Sequence, residues 1–250
     1  MIAKALVEEV LAYAMSGGAD FVELYGEITK NNSINMVDGK IDRVTDNLIS
    51  GVGIRAFLGT KTVFASTSDT SRAGLLKCAR SVAAATGDLR AVEKIILSER
   101  MFPNIHPARI IPSSVESRVK SDLLRAGCAA AREYDPAIVQ VTGNLIGVDH
   151  TIQIANSEGL LTSDRHIRTR MAIQAIASGN GENQSGFYGP GRGMGLEVFD
   201  MIDPADIGRR AAAQAMVNLR ADYCPAGKMT VAIENGFGGV IFHEACGHSL

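Results

Sequence analysis

From Asp20 to Thr67 apolar and polar residues alternate, and this stretch constrains the fold more than any other feature of the chain. Before it, Ile2, Leu6, Val7, Val10, Leu11 and Ala14 fall on one helical face, and Gly17-Gly18 ends that helix. Within it, "FVELYGEI", "NSINMV", "KIDRVTD", "SGVGIRAFL" and "KTVFAST" read as successive strands, with hairpin turns at Asp38-Gly39 and at Gly59. The links are too short for parallel crossovers, so these strands form an antiparallel meander. Ser71 then caps a second helix, expected to run to about Ala85.

The same order returns downstream. Residues 98–114 hold three of the seven prolines and read as a connector. Ser113 with Glu116 makes a capping box for a third helix ending near Glu133. A second strand-rich region covers Val139 to about Ala177 and turns at "NSEG". Asp203-Pro204 places a cap and a first-turn proline before a fourth helix that reaches Arg220. Helix, meander, helix thus occurs twice, which points to an internal repeat. The fold class expected is α+β, antiparallel meanders packed with helices.

Composition removes several functional classes. The chain is 46% hydrophobic and 21% charged, enough to build a core, and its net charge of −2 leaves no electrostatic footprint for nucleic acid. That balance also lends nothing to a role in modulating a DNA-processing enzyme. Aromatic residues are 5% and Trp is absent, so base-stacking platforms are not expected. No apolar run is long enough to cross a bilayer, and Glu8 and Glu9 interrupt the first helix where a signal peptide would be apolar. The four cysteines, Cys78, Cys128, Cys224 and Cys246, form no CxxC pair and fit reduced thiols in the cytoplasm.

"SGNGENQSGFYGPGRGMG" (178–195) carries seven glycines and matches no nucleotide-binding fingerprint. It reads as a surface loop; the alternative is a substrate entrance at which Tyr188 or Arg192 touches peptide. In "DRHIRTR", His166, Arg168 and Arg170 share one strand face, either solvated or forming a basic wall for a peptide carboxylate. His106 and His150 read as structural.

After Pro225 the character changes. "KMTVAI" reads as a short buried strand, and "ENGFGGVIFHEACGHSL" as a helix entered through glycines. The sequence then stops without a helix-end signal, so the expectation is a first domain over 1–225 and the truncated start of a catalytic domain over 226–250. His243, Glu244 and His248 spell HExxxH, one residue wider than the zinc-peptidase HExxH. On a regular helix, i+5 places the second imidazole roughly 140° round from the first, against roughly 40° for i+4. A π-bulge brings i and i+5 into line, and Gly247 makes that distortion cheap. The final helix is therefore expected to depart from α geometry between His243 and His248. In the functional reading the two histidines ligate zinc and Glu244 is the general base. Cys246 points away from His248 and reads as a small buried thiol, and Cys224 as structural.

"PAGKMTVAIENGFGGVIFHEACGHSL", together with "DFVELYGE", "GVGIRAFLGTKTVFAST" and "GENQSGFYGPGRG", resembles the TldD/PmbA family of metallopeptidases over nearly the whole chain. The resemblance implies hydrolysis of short or unfolded peptides by a bound zinc. It implies an active site inside a dimeric shell, either a homodimer or a heterodimer with a paralogous subunit. It gives metal-ligand roles to His243 and His248, the base role to Glu244, and a third ligand to a cysteine beyond these residues, so the 250 residues alone are expected to be inactive. The rival reading is a non-catalytic scaffold subunit of such a complex.

Overall fold

The computed structural model describes all residues except 88, 89, 92, 93, 180, 234, 235 and 250, together with the side chain of residue 237. The chain divides into two units, Met1–Leu219 and Arg220–Leu250. In the first, α1 (Lys4–Met15) leads into β1 (Phe21–Val37), β2 (Lys40–Leu58) and β3 (Lys61–Thr67), followed by α2 (Arg72–Thr86). A two-residue strand, β4 (Ser98–Glu99), precedes α3 (Ser117–Arg132). Then come β5 (Ile138–Asn156), β6 (Leu160–Gly179), β7 (Glu182–Tyr188), β8 (Gly191–Arg192) and α4 (Pro204–Arg220).

One sheet contains all these strands, in the order β3-β2-β1-β5-β6-β4, with β7 and β8 also paired to β6. The expected repeat is visible in it: helix, two long strands, short strand and helix occur twice. The first long strands of the two halves pair antiparallel at the centre, from Glu23 opposite Asn156 to Val37 opposite Thr142. The five expected strands of the first half merge into three. β1 runs unbroken for 17 residues through Lys30-Asn31-Asn32, where polar side chains keep the alternation instead of ending it. Buried Asn32 shows how: its amide donates to Asp46 at 3.0 Å. The hairpin at Asp38 (φ 46°) and Gly39 (φ 77°) takes the left-handed geometry that the Asp-Gly pair favours.

All four long helices cover one face of the sheet. Val7, Val10 and Leu11 of α1 and Leu75, Ala79 and Val82 of α2 bury Val22 and Leu24 of β1 with Val52 and Ile54 of β2. Leu124 and Cys128 of α3 and Ile207, Ala211 and Ala215 of α4 bury Ile34, Leu145, Met171 and Ile173. Each large aliphatic side chain buried this way contributes about 1.5–3 kcal/mol. The α3–α4 contact is close: a Cβ at Gly208 would overlap the carbonyl of Gly127. On the other face Tyr25, His166, Arg168 and Arg170 are exposed. Among the described residues, no helix is long and apolar enough to cross a membrane.

Two helix starts follow the expected chemistry. Ser71 Oγ accepts from Gly74 N–H at 3.2 Å, and Asp203 accepts from Ala205 N–H at 2.9 Å ahead of Pro204. The capping box does not form. Pro112–Ser114 is a 3₁₀ turn, Ser114 Oγ donates to the Ile111 carbonyl, and α3 starts at Ser117 behind Glu116 without a side-chain cap. The buried Lys120 ammonium donates to the Pro112 carbonyl at 3.0 Å and holds that turn. The glycine-rich stretch is not a free loop. Its described residues give β7 and β8, because the outer edge of β6 offers unpaired backbone that they satisfy; residue 180 lies outside the described residues. Tyr188 packs on the second core cluster, with the Arg210 guanidinium 5.1 Å from its ring, so it is a structural residue.

Candidate metal centre

The second unit, Arg220–Leu250, differs from expectation at its start. The "KMTVAI" segment is exposed and unpaired in any sheet, so it is not a buried strand. An extended segment without a neighbouring strand has nothing to receive its hydrogen bonds. Residues 234 and 235 of the expected helix entry, and Leu250 at its end, lie outside the described residues.

From Phe237 the chain makes a 3₁₀ turn to Gly239, one α turn over Val240–Phe242, and a π turn over His243–Gly247. The His248 N–H donates to the His243 carbonyl at 3.1 Å, five residues back, as the i+5 spacing requires. The extra residue in the turn brings the two imidazoles together, with ring centroids 4.5 Å apart and planes at 77°. One donor atom from each of His243, Glu244 and His248 lies within 4.8 Å of the others, and all three residues are exposed. Among the described residues no other set of His, Cys, Asp or Glu gathers in this way. Two imidazoles and a carboxylate suit a borderline ion such as zinc, so the residues fit the metal. Cys246 is exposed instead of buried and stands outside the set, and Cys224 is exposed as well.

His150 and His166 take part in contacts across the sheet that spacing along the sequence does not reveal. His150 Nε2 lies 3.3 Å from Glu27 Oε2 and 3.4 Å from the Tyr25 hydroxyl, and its ring meets that of His166 edge-on at 6.2 Å. Partial burial and the neighbouring Glu27 push the Tyr25 hydroxyl up from its ordinary pKa. His166 Nε2 lies 2.7 Å from Asp164, whose carboxyl is held low by that hydrogen bond and by the Arg165 N–H. Arg165 makes a two-pronged pair with buried Asp149 at 2.8 and 2.7 Å, which holds the Asp149 carboxyl low. Glu197, also missed from the sequence, is 2% exposed and accepts the N–H groups of Arg109, Ile110 and Gly195.

An antiparallel sheet with helices on one face, and a His-Glu-His set on a widened turn, define an α+β protein with a candidate metal-hydrolase centre. Two sequence models of one family match the chain: the PmbA/TldA metallopeptidase domain 1 over residues 22–86 and the central domain of the same metallopeptidases over 110–219. The chain belongs to the TldD/PmbA family of metallopeptidases. A metalloprotease TldD homolog of Haemophilus influenzae is 32% identical over 241 residues, covering 92% of this chain and 49% of the relative. A metalloprotease of Methanothermobacter thermautotrophicus is 25% identical over 233 residues, covering 92% and 50%. Among solved structures, a candidate modulator of a DNA gyrase from Thermotoga maritima superposes with a TM-score of 0.71 at 19% identity, covering 89% of this chain and 50% of that one. TldE from Thermococcus kodakarensis gives 0.63 at 15%, covering 84% and 47%. The chain spans about half the length of the curated relatives it matches. His243, Glu244 and His248 lie outside both matched domains.

Proposed function

We propose that the protein is a zinc-dependent peptidase acting on short or unfolded peptides, with His243 and His248 as metal ligands and Glu244 as general base. The observation that carries the reading is the convergence of the three donor atoms over the π turn. Relatives named as metalloproteases support it. Zinc, when bound, polarises the scissile carbonyl and makes water acidic enough to lose a proton near neutral pH. Glu244 takes that proton and delivers it to the departing amine, so one carboxylate serves as base and then as acid. His243 and His248 must be neutral at the nitrogens that face the ion. The third ligand would be a cysteine outside these residues, which makes the 250-residue chain inactive by itself.

In this reading residues 1–225 form a first domain and 226–250 open the catalytic part. The protein works in the cytoplasm as a homodimer or with a paralogous subunit. The solved TldE neighbour and the four cysteines without a disulfide are in keeping with that setting. Glu244→Gln in the intact protein tests the reading. The near-isosteric amide should leave zinc content unchanged by elemental analysis and lower peptide turnover about 10²–10⁴-fold. Undiminished turnover by the zinc-loaded variant would remove Glu244 from the chemistry.

A further inference from the structure

On the open face of the sheet a cavity of about 600 Å³ lies where, among the described residues, β6 has no outer neighbour. β4 pairs with β6 only at Leu160 and Leu161, and β8 only at Thr169 and Arg170. Ile152 and Ile154 give the cavity an apolar lining, extended by Phe102 and Ile105 of the connector. These two connector side chains are 69% and 79% exposed, so the wall they form has room to pack against something.

The charged groups around the cavity are unequally engaged. Asp164 is bound by His166, and Arg165 by Asp149. His106 also lines the space. Arg168 lines it too, and among the described residues no carboxylate lies within ion-pair distance of it. Arg170 follows two positions along the same strand face. The Arg170 Nε–H donates to the Gly189 carbonyl at 3.0 Å, and among the described residues no carboxylate lies within ion-pair distance of its guanidinium. The Arg168 guanidinium thus stands at the apolar hollow, and Asp164 lines the same space.

We propose that this cavity binds the C-terminal residue of a peptide, its apolar side chain against Ile152 and Ile154 and its free carboxylate on Arg168. Arg170 adds to the positive potential that draws the carboxylate in. The pairing of an apolar lining with a cation favours a chain end over an internal acidic residue. A terminal residue carries side chain and carboxylate on one Cα, whereas in an extended peptide the neighbours of an Asp or Glu point to the opposite face. The peptide class rests on the peptidase reading; the site itself requires neither metal nor turnover.

The test uses the 250-residue chain without added metal and a fluorescein-labelled hexapeptide ending in leucine, read by anisotropy. The free acid should bind about tenfold tighter than the C-terminal amide, the effect of one charge-assisted contact. Arg168→Ala should bring the two affinities together, and Arg168→Lys should keep part of the preference by retaining charge without the planar fork. Circular dichroism of both variants should match the parent, since Arg168 is exposed. Equal binding of acid and amide would overturn the proposal, as would an acid preference that survives Arg168→Ala. An amidated peptide with an internal glutamate that binds as tightly as the free acid would overturn the assignment to a chain end. None of these outcomes bears on Glu244, so the peptidase reading stands or falls separately.

Discussion

In the first half of the sheet, no described residue pairs with the outer edge of β2 over residues 40–51, and Ile41, Val44, Leu48 and Ile49 are exposed there. In the second half the matching strand, β6, is flanked by β4, β7 and β8, and the gap between them faces a cavity with a cationic rim. The helices and buried strand positions of the two halves correspond; what lies along the edges does not. The connector from Ser98 to Ile111 accounts for much of the difference. It supplies β4 and one wall of the cavity, and Glu197 fixes its far end by accepting the Arg109 and Ile110 N–H groups. A repeated scaffold thus keeps its core in both copies, and one added segment turns one edge into a place for a ligand.

The largest test of this comparison is whether the halves fold as one body. Leu11→Ala and Leu124→Ala each remove a fully buried side chain from one of the two core clusters, and each should cost about 2–5 kcal/mol. Because β1 pairs with β5 along most of its length, both variants should lower one shared calorimetric transition by similar amounts. Two separated transitions, with each variant moving only its own, would break the symmetry at the centre of the sheet.

A smaller effect should mark the second half alone. Burial pushes the Glu197 carboxyl up, but the N–H groups of Arg109, Ile110 and Gly195 outweigh it and hold the group below its ordinary pKa. A depressed carboxylate contributes stability that is present above its unfolded pKa, near 4.3, and lost as pH falls through the lower folded value. Hydrogen-exchange protection at Arg109 and Ile110, taken relative to the intrinsic rate at each pH, should therefore fall in acid before protection in β1 does. Glu197→Gln should remove that pH dependence and cost about 1–3 kcal/mol at neutral pH. Equal acid sensitivity of the variant would discard the clamp.

The smallest effect belongs to the first half's surface. Arg55 pairs with Glu23 on the open face and lies 5.2 Å from the Phe57 ring. Arg55→Ala should change urea stability by no more than about 1 kcal/mol. A larger loss would show that this open face is under more structural load than the matching arginines of β6.

Legibility in the sequence followed the range of the interactions. The Asp38-Gly39 turn, the Ser71 cap and the Asp203-Pro204 start are local and could be read directly. So could the departure from α geometry, since the spacing of His243 and His248 requires it of any helix that joins them. What failed depended on neighbours distant in sequence. β7 exists because β6 has an edge to fill, Asn32 continues β1 because Asp46 faces it, and "KMTVAI" has no strand beside it. His150 looked isolated until register placed it opposite His166 and near Glu27.

The antiparallel joint at the middle of the sheet also sets an order of events while the chain is being made. The Val22 N–H donates to Ser157 Oγ, 135 positions away, and every pair between β1 and β5 spans a comparable distance. On a ribosome adding about 5–20 residues each second, the first hairpins emerge well before β5. Through that interval β1 has an unfilled edge and the nascent half-sheet can pair with the wrong strand. Closing so long a loop is slow in a chain of this topology. Chaperone demand should fall on this interval, and it should end when β5 arrives.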